Sequence, residues 1–359
     1  MKKTLLFLVS LMPLLAFSQN GTNLKFPDFD GYKTLKCDFH VHTVFSDGVV
    51  WPTTRVDEAV REGLDAIAIT DHIEYRPHKD DIKADLNRSY DIAKAAADKK
   101  KLLLIRGSEI TRQMPPGHLN AIFTKDNNAL DTPEWRDALK EAKAQGAFIF
   151  WNHPGWKKQQ PDTTLWWNEH TEIFNNGYMQ AIEVGNTRSY YPEAHGWCLE
   201  KKLAMFANSD IHQPTNVVFN FDKGEHRFIT LVFAKERSLD GIREAIDNGR
   251  TVAYMKESLV GPEEYLKTIF EKGIKVKEYN KSKNDIQITV VNTTPVPFFL
   301  KATEHDKNIQ YLNTYELRPG KEYTITIMLR NGIQKGKINF EVTNLLAAPN
   351  KGLDYSFDI

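Results

Sequence analysis

Two histidines, His40 and His42, stand two residues apart in the run LKCDFHVHT. A spacing of two puts both imidazoles on one face of an extended segment, converging on a single point. Asp47 follows five residues later in SDG, and Asp71 and His72 close the apolar run AIAITDH. Glu109 sits in GSEI, His118 opens GHLNAIF, His153 lies in WNHP, and Asp210 and His212 lie in NSDIH. Six of the chain's eleven histidines therefore fall where a strand reading ends or begins. Imidazole nitrogen with carboxylate oxygen suits Zn, Mn or Fe, and the absence of cysteine from the group argues against a closed structural zinc site. Strand ends are where barrel enzymes place their chemistry.

The elements that would carry these residues follow from the hydropathy pattern. Short apolar strands alternate with helical stretches from about Lys36: LKCDFHVHT, TTRVDEAVREG, DAIAITDH, a helix near Ala84 to Lys99, then LLLIRGSEI. Further strands are expected in HLNAIFT, AFIFWNHP, QAIEVGN, AMFANSDIH and FITLVFA. Helices are expected near Glu134 to Ala144, Glu193 to Lys201 and Leu239 to Asn248. This is the rhythm of βα units around a parallel sheet, and its length suggests a barrel. In the first helix Thr54 and Asp57 have the spacing of a capping box. After about Asn280 the period falls to two: Ile286, Ile288 and Val290; Tyr323, Ile325 and Ile327; Ile338, Phe340 and Val342. Pro295, Pro297, Arg318-Pro319-Gly320 and Asn331-Gly332 punctuate these runs, which read as a small β-sandwich.

The bulk properties narrow the function. The chain has 359 residues with 47 basic and 47 acidic side chains. That balance argues against electrostatically driven nucleic-acid binding. Cys37 and Cys198 are the only cysteines, too few for a disulfide framework. The first residues, MKKTLLFLVSLMPLLAFSQN, carry a basic start, an apolar run and small residues before Gln19, the pattern of a cleaved secretory signal over residues 1–18. No later segment is apolar enough to span a bilayer, so the mature protein is expected to be exported, periplasmic or extracellular.

The motifs CDFHVHTVFSDG, AIAITDH, GSEI, NHP and NSDIH, in this order, resemble those of the PHP (polymerase and histidinol phosphatase) family. The likeness runs from about Leu35 to Met255 and takes in ERSLDGIREAIDNGRTVAY. It implies a metal-dependent phosphoesterase on a distorted (β/α)7 barrel, here over residues 24–278, followed by the small all-β sandwich-like module over residues 280–359. It also implies two to three divalent cations. His40, His42, Glu109 and Asp210 would hold one, Glu109 would bridge to a second held by His118 and His153, and Asp47, His72 and His212 would hold a third. Asp47 stands where some members of the family have histidine. The resemblance is silent on the C-terminal module.

Charge arithmetic points the same way. Three divalent cations bring six positive charges and Asp47, Glu109 and Asp210 return three, leaving a site that hydroxide and an anionic phosphate complete. A small phosphate ester, a diester first of all, is then attacked by metal-activated hydroxide. Asp210 or His212 is placed to pass a proton to the leaving group, and Arg112 to grip a phosphate oxygen. Asp71 is a candidate to orient a ligand imidazole, Glu183 and Asn186 to line the pocket, and Trp51, Tyr75, Trp156, Trp166 and Trp167 to wall it. An oligonucleotide-processing hydrolase, a phosphomonoesterase and a non-enzymatic binding module are the alternatives. Metal content separates the last from the rest.

Overall fold

The computed structural model describes residues 24–29 and 31–359, so the expected signal segment lies outside the described residues. The first eleven strands are β1 Lys33–Val41, β2 Ala66–Ile69, β3 Leu103–Ile110, β4 Leu119–Ile122, β5 Phe148–Trp151, β6 Ala181–Asn186, β7 Ser189–Tyr190, β8 Ala204–Asn208, β9 Ile229–Ala234, β10 Thr251–Met255 and β11 Ser258–Val260. They run in the order β11-β10-β9-β1-β2-β3-β4-β5-β6, with β8 also on β6 and β7 a short flap at its end. The parallel expectation holds for β1, β2 and β3 and for β5, β6 and β8. It fails at β4, which is antiparallel to both neighbours, and at β9 and β10. Only eight residues separate β3 from β4, too few for a parallel crossover.

β8 closes the barrel mostly through side chains. The Thr230 hydroxyl on β9 donates to the Ala207 carbonyl at 2.9 Å and accepts from the Ala207 amide at 3.0 Å. Thr251 on β10 accepts from the Met205 amide, Asn208 Oδ1 accepts from the Phe39 amide, and a parallel bridge joins Val41 to Ile211. Phe39, Phe148, Phe150 and Phe206 pack in one buried cluster with Ile242, Ala245 and Ile246.

The helices are α1 Pro52–Arg61, α2 Arg88–Lys100, α3 Trp135–Ala144, α4 Asn168–Asn175, α5 Pro192–Lys201, α6 Thr215–Val218, α7 Leu239–Asp247 and α8 Glu263–Gly273. The expected capping box is absent: α1 begins at Pro52, whose fixed φ suits the first turn, and Trp51 precedes it in an extended conformation. Thr54 is thereby already inside the helix. Among the described residues no helix is long and apolar enough to cross a membrane.

The C-terminal strands are β12 Ile274–Lys281, β13 Asp285–Asn292, β14 Phe298–Glu304, β15 Ile309–Gln310, β16 Thr314–Leu317, β17 Glu322–Leu329, β18 Lys337–Ala348 and β19 Lys351–Asp358. They form the sheets β12-β13-β17-β15 and β16-β14-β18-β19, with Ile286, Val290, Ile325, Ile327, Ile338, Phe340 and Val342 buried between them, as the period-two pattern anticipates. Asn331 and Gly332 both take positive φ, the backbone of a tight turn that carries the chain from β17 in one sheet to β18 in the other. β12 pairs along its length with β13, so the module starts directly after α8 rather than near Asn280. Gly273 makes this join possible, because a Cβ there would collide with the Thr294 methyl. β18 also pairs in parallel with β11, making one sheet continuous between barrel and module.

Thr230→Val keeps the side chain's shape but strips the Ala207 amide and carbonyl of their partner. We expect a loss of about 1–3 kcal/mol in urea-induced unfolding; a loss below the measurement error would show that the threonine bridge does not close the barrel.

Candidate metal centre

The site is assembled at the ends of six strands. His40 lies on β1 and His42 one residue past it, Glu109 lies on β3, and His72, His153, Asp210 and His212 follow β2, β5 and β8, while His118 immediately precedes β4. An isolated bridge pairs His72 with Glu109. Two of these residues have left-handed backbones rare for side chains of this kind, His153 at φ 28° and Asp210 at φ 51°.

One cluster joins His40 Nε2, His42 Nε2, Glu109 Oε2 and Asp210 Oδ1. The histidine nitrogens are 3.0 Å apart, each is 3.3 Å from Glu109, and Asp210 lies 3.2 Å from His40 and 3.0 Å from His42. Ligands about 2.0 Å from a tetrahedral ion stand about 3.3 Å from one another, so the spacing fits. The protons confirm the fit. Glu183 takes four donors on its two oxygens, among them His40 Nδ1 at 2.9 Å, so His40 carries its hydrogen on Nδ1. Ser46 donates to Asp71 at 2.8 Å and therefore accepts from His42 Nδ1 at 3.2 Å. Both Nε2 atoms then face each other and two carboxylates with lone pairs, an arrangement that a cation makes favourable.

The second cluster shares Glu109. Its Oε1 lies 2.9 Å from His118 Nδ1 and 3.5 Å from His153 Nε2. The third has Asp47 Oδ1 at 3.0 Å from His212 Nε2 and 3.4 Å from His72 Nε2. His212 Nδ1 donates to the Asp210 carbonyl at 2.8 Å, which turns its Nε2 lone pair toward Asp47. Asp47 Oδ1 is buried and receives no hydrogen bond, the mark of an atom shaped for a cation. His72 Nδ1 also lies 2.9 Å from Glu109 Oε2, so the clusters overlap. Burial alone would raise the Glu109 carboxyl, but His72, His40 and His118 hold it well below the usual range. Asp210 is likewise lowered against its burial by His40, His42 and His212. Burial opposes charge on His40, yet Asp210, Glu183 and Glu109 raise it well above an ordinary histidine, and His153 and His212 are raised too.

Sequence reasoning overlooked most of the supports. Arg55 of α1, fully buried, spends all five N–H groups on Glu58 and on the carbonyls of His42, Ile211, His212 and Gln213, tying the turn after β1 to the loop after β8. Arg55 and Glu58, three apart and flanking Val56 and Ala59 on the buried face of α1, were the available signal. Arg227 pairs with Glu62 at 2.7 Å and Asp38 at 3.0 Å, and Asp38 takes the Ser209 amide and hydroxyl next to Asp210. Asp71 does not touch the His72 ring. It binds the Thr43 amide and hydroxyl and Ser46, and so reaches His42 through a hydroxyl.

Arg112 requires a correction. Its guanidinium donates to the carbonyls of Pro133 and Thr132 and pairs with Glu74 at 2.8 Å, so it braces a loop and does not line the catalytic cavity. Among the described residues Lys158 is the lysine or arginine that does line this cavity, with its ammonium 5.3 Å from the Trp156 ring centre. The cavity has a volume of about 910 Å³ and opens over Asp47, His72, His118, His153, Asp210 and His212. Tyr75 and Trp156 wall it as expected, and Asn186 is bound to Glu183 beneath it. Trp166 instead packs on Trp151 and Trp197.

Residues 38–193 match the family of PHP domains, and residues 273–358 match a family of Ig-like domains. A two-domain protein of Bacteroides vulgatus, described as containing a PHP-like metal-dependent phosphoesterase, is 54% identical over 95% of this chain and 100% of that one, with a TM-score of 0.94. A protein of Bifidobacterium adolescentis described as a metal-dependent phosphoesterase is 18% identical over 59% of this chain and 96% of its own, with a TM-score of 0.42. No curated protein matches the chain.

Glu183→Gln replaces an acceptor of four donors by a group that must donate. We expect metal affinity, measured by competition with a chromophoric chelator, to fall about 10–100-fold with the fold retained; unchanged affinity would exclude Glu183 as the orienting group. The raised histidines give a second expectation. Without metal, the stability they contribute is complete below the unfolded histidine value of about 6.5 and is lost as pH rises through their higher folded values. Metal replaces those protons, so the gain in Tm on adding Zn should be small at pH 6 and larger at pH 8. A gain independent of pH would contradict it.

Proposed function

Because the chain belongs to the PHP family of metal-dependent phosphoesterases, we propose that it is an exported phosphodiesterase that hydrolyses small phosphate esters at a three-cation site. The observation that carries the reading is the set of three overlapping clusters beneath an open cavity, with the buried Asp47 Oδ1 facing His212 Nε2 and His72 Nε2 in the third. Mn, Zn or Fe held by His40, His42, Glu109 and Asp210, by Glu109, His118 and His153, and by Asp47, His72 and His212 would supply positive charge for the phosphoryl oxygens and acidify a water molecule.

The chain's own groups do the rest. Glu183, Ser46 and Arg55 fix the ligands before substrate arrives, so no reorganisation is needed when charge develops. Lys158 offers a point charge to a non-bridging oxygen in the role first assigned to Arg112. Asp210, held ionised by its histidines, or His212, both lining the cavity, would take the proton that the attacking water gives up and pass it to the departing oxygen. Trp156 packs on His118 and His153 and keeps water from that side of the centre. The signal-like residues 1–18 support export and a substrate outside the cytoplasm.

The test is metal content of the purified protein together with turnover of bis(p-nitrophenyl) phosphate and p-nitrophenyl phosphate, on wild type, His40→Ala and Asp210→Asn. Two to three metals per chain and a diesterase activity abolished in His40→Ala are expected. Asp210→Asn should lose about 10²–10⁴-fold more on an alkyl leaving group, which needs a proton, than on p-nitrophenolate, which does not. Equal losses would remove the proton-donor role, and bound metal with no turnover of either ester would overturn the diesterase reading.

A further inference from the structure

A second cavity, of about 580 Å³, lies where barrel and module meet. It shares Thr187 and Phe219 with the catalytic cavity, so the two are neighbours across these side chains. The loop after β8 that carries Asp210 and His212 continues through Phe219 into Lys223 and His226 of this second space, and the module closes it with Pro295, Pro297 and Arg318. A group departing on the Asp210 and His212 side of the catalytic cavity would have this space beyond Thr187 and Phe219.

The cavity's charges are unequal. Arg318 pairs with Glu257 at 3.0 Å, and Arg188 lies 3.9 Å from Glu225. Lys223 and Lys256 also line the cavity, and neither has an ion pair among the described residues. Lys256 is held there at a backbone cost. It begins the two-residue turn between β10 and β11 with φ 52°, a position that favours glycine, and its carbonyl accepts from His226 Nε2 at 2.9 Å.

We propose that the junction cavity is the leaving-group pocket of the catalytic site, and that it selects leaving groups bearing an anionic substituent, received by Lys223 and Lys256. This deepens the phosphoesterase reading and rests on it. It gives the module a function: the prolines and Arg318 complete a pocket that the barrel alone would leave open.

The test uses two matched series of aryl methyl phosphates whose phenol carries a terminal carboxylate, or the corresponding uncharged amide, on chains of one, three and five methylenes. Wild type should prefer the carboxylate at one length at least, by about tenfold in kcat/KM, in line with two exposed ion pairs. The Lys223→Ala/Lys256→Ala variant should lose the preference while binding as much metal as wild type. Lys256→Gly removes the charge while relaxing the turn, so it should reduce the preference without lowering Tm. No preference at any length, or one that survives in the double variant, overturns the proposal. If no ester is hydrolysed, the phosphoesterase reading is what has failed. Calorimetric titration of the free carboxylate and amide phenols into the metal-loaded protein then decides the pocket separately: equal affinities overturn it, and tighter carboxylate binding that the double variant abolishes upholds it.

Discussion

Lone pairs that face one another repel, and this barrel brings His40 Nε2 and His42 Nε2 to 3.0 Å from each other and each to 3.0–3.3 Å from Glu109 Oε2 and Asp210 Oδ1, a crowding that only a proton or a cation between them relieves. Such a cluster does not hold itself together. Each member is pinned from behind: His40 by Glu183, His42 by Ser46, Glu109 by the Asn152 amide, Asp210 by its neighbour Ser209 on Asp38, and the backbones of the two flanking loops by Arg55. The barrel's polar interior is best understood as the apparatus that keeps these acceptors facing inward.

That apparatus concentrates where chain segments far apart in sequence meet. β8 joins β9 and β10 through threonine hydroxyls, and the buried Arg227 ties Glu62 to Asp38 at the same place. Asp210 and its left-handed backbone sit two residues past β8, so the strained ligand rests on the most heavily cross-braced seam of the fold. Losing one member of a buried ion network costs about 3–5 kcal/mol, because the partners stay charged and buried. Stability and the shape of the site are therefore coupled through Asp38 and Ser209.

Much of this was legible in the sequence because period and position carry it. The HxH pair announces itself by a spacing of two, and AITDH, NHP and NSDIH mark strand ends by an apolar run that stops at a polar residue. Strand direction was not legible: period two is the same in parallel and antiparallel strands, so β4, β9 and β10 looked like the rest. Arg112 misled for a similar reason. Three residues from Glu109 it is near the site in sequence, but its two terminal nitrogens are claimed by carbonyls twenty and twenty-one positions further on and by Glu74, and only folding brings those together. The lysine that does line the cavity, Lys158, lies in the loop after β5 and has no motif to flag it. The module's start was hidden because β12 is exposed along almost its whole length, leaving no alternation to read.

The parallel pairing of β11 with β18 has a further consequence. β11 is the last strand of the barrel's sheet, and a strand in that place presents a row of unpaired amides and carbonyls to any other chain able to add to it. The module occupies that row with its own longest strand. The two parts are thus unlike cassettes on a linker. A barrel cut free after α8 would carry an open, adhesive margin, and a single-domain relative of the same architecture must blunt that margin by some other device. The seam that shapes a pocket on one side also guards against self-association on the other.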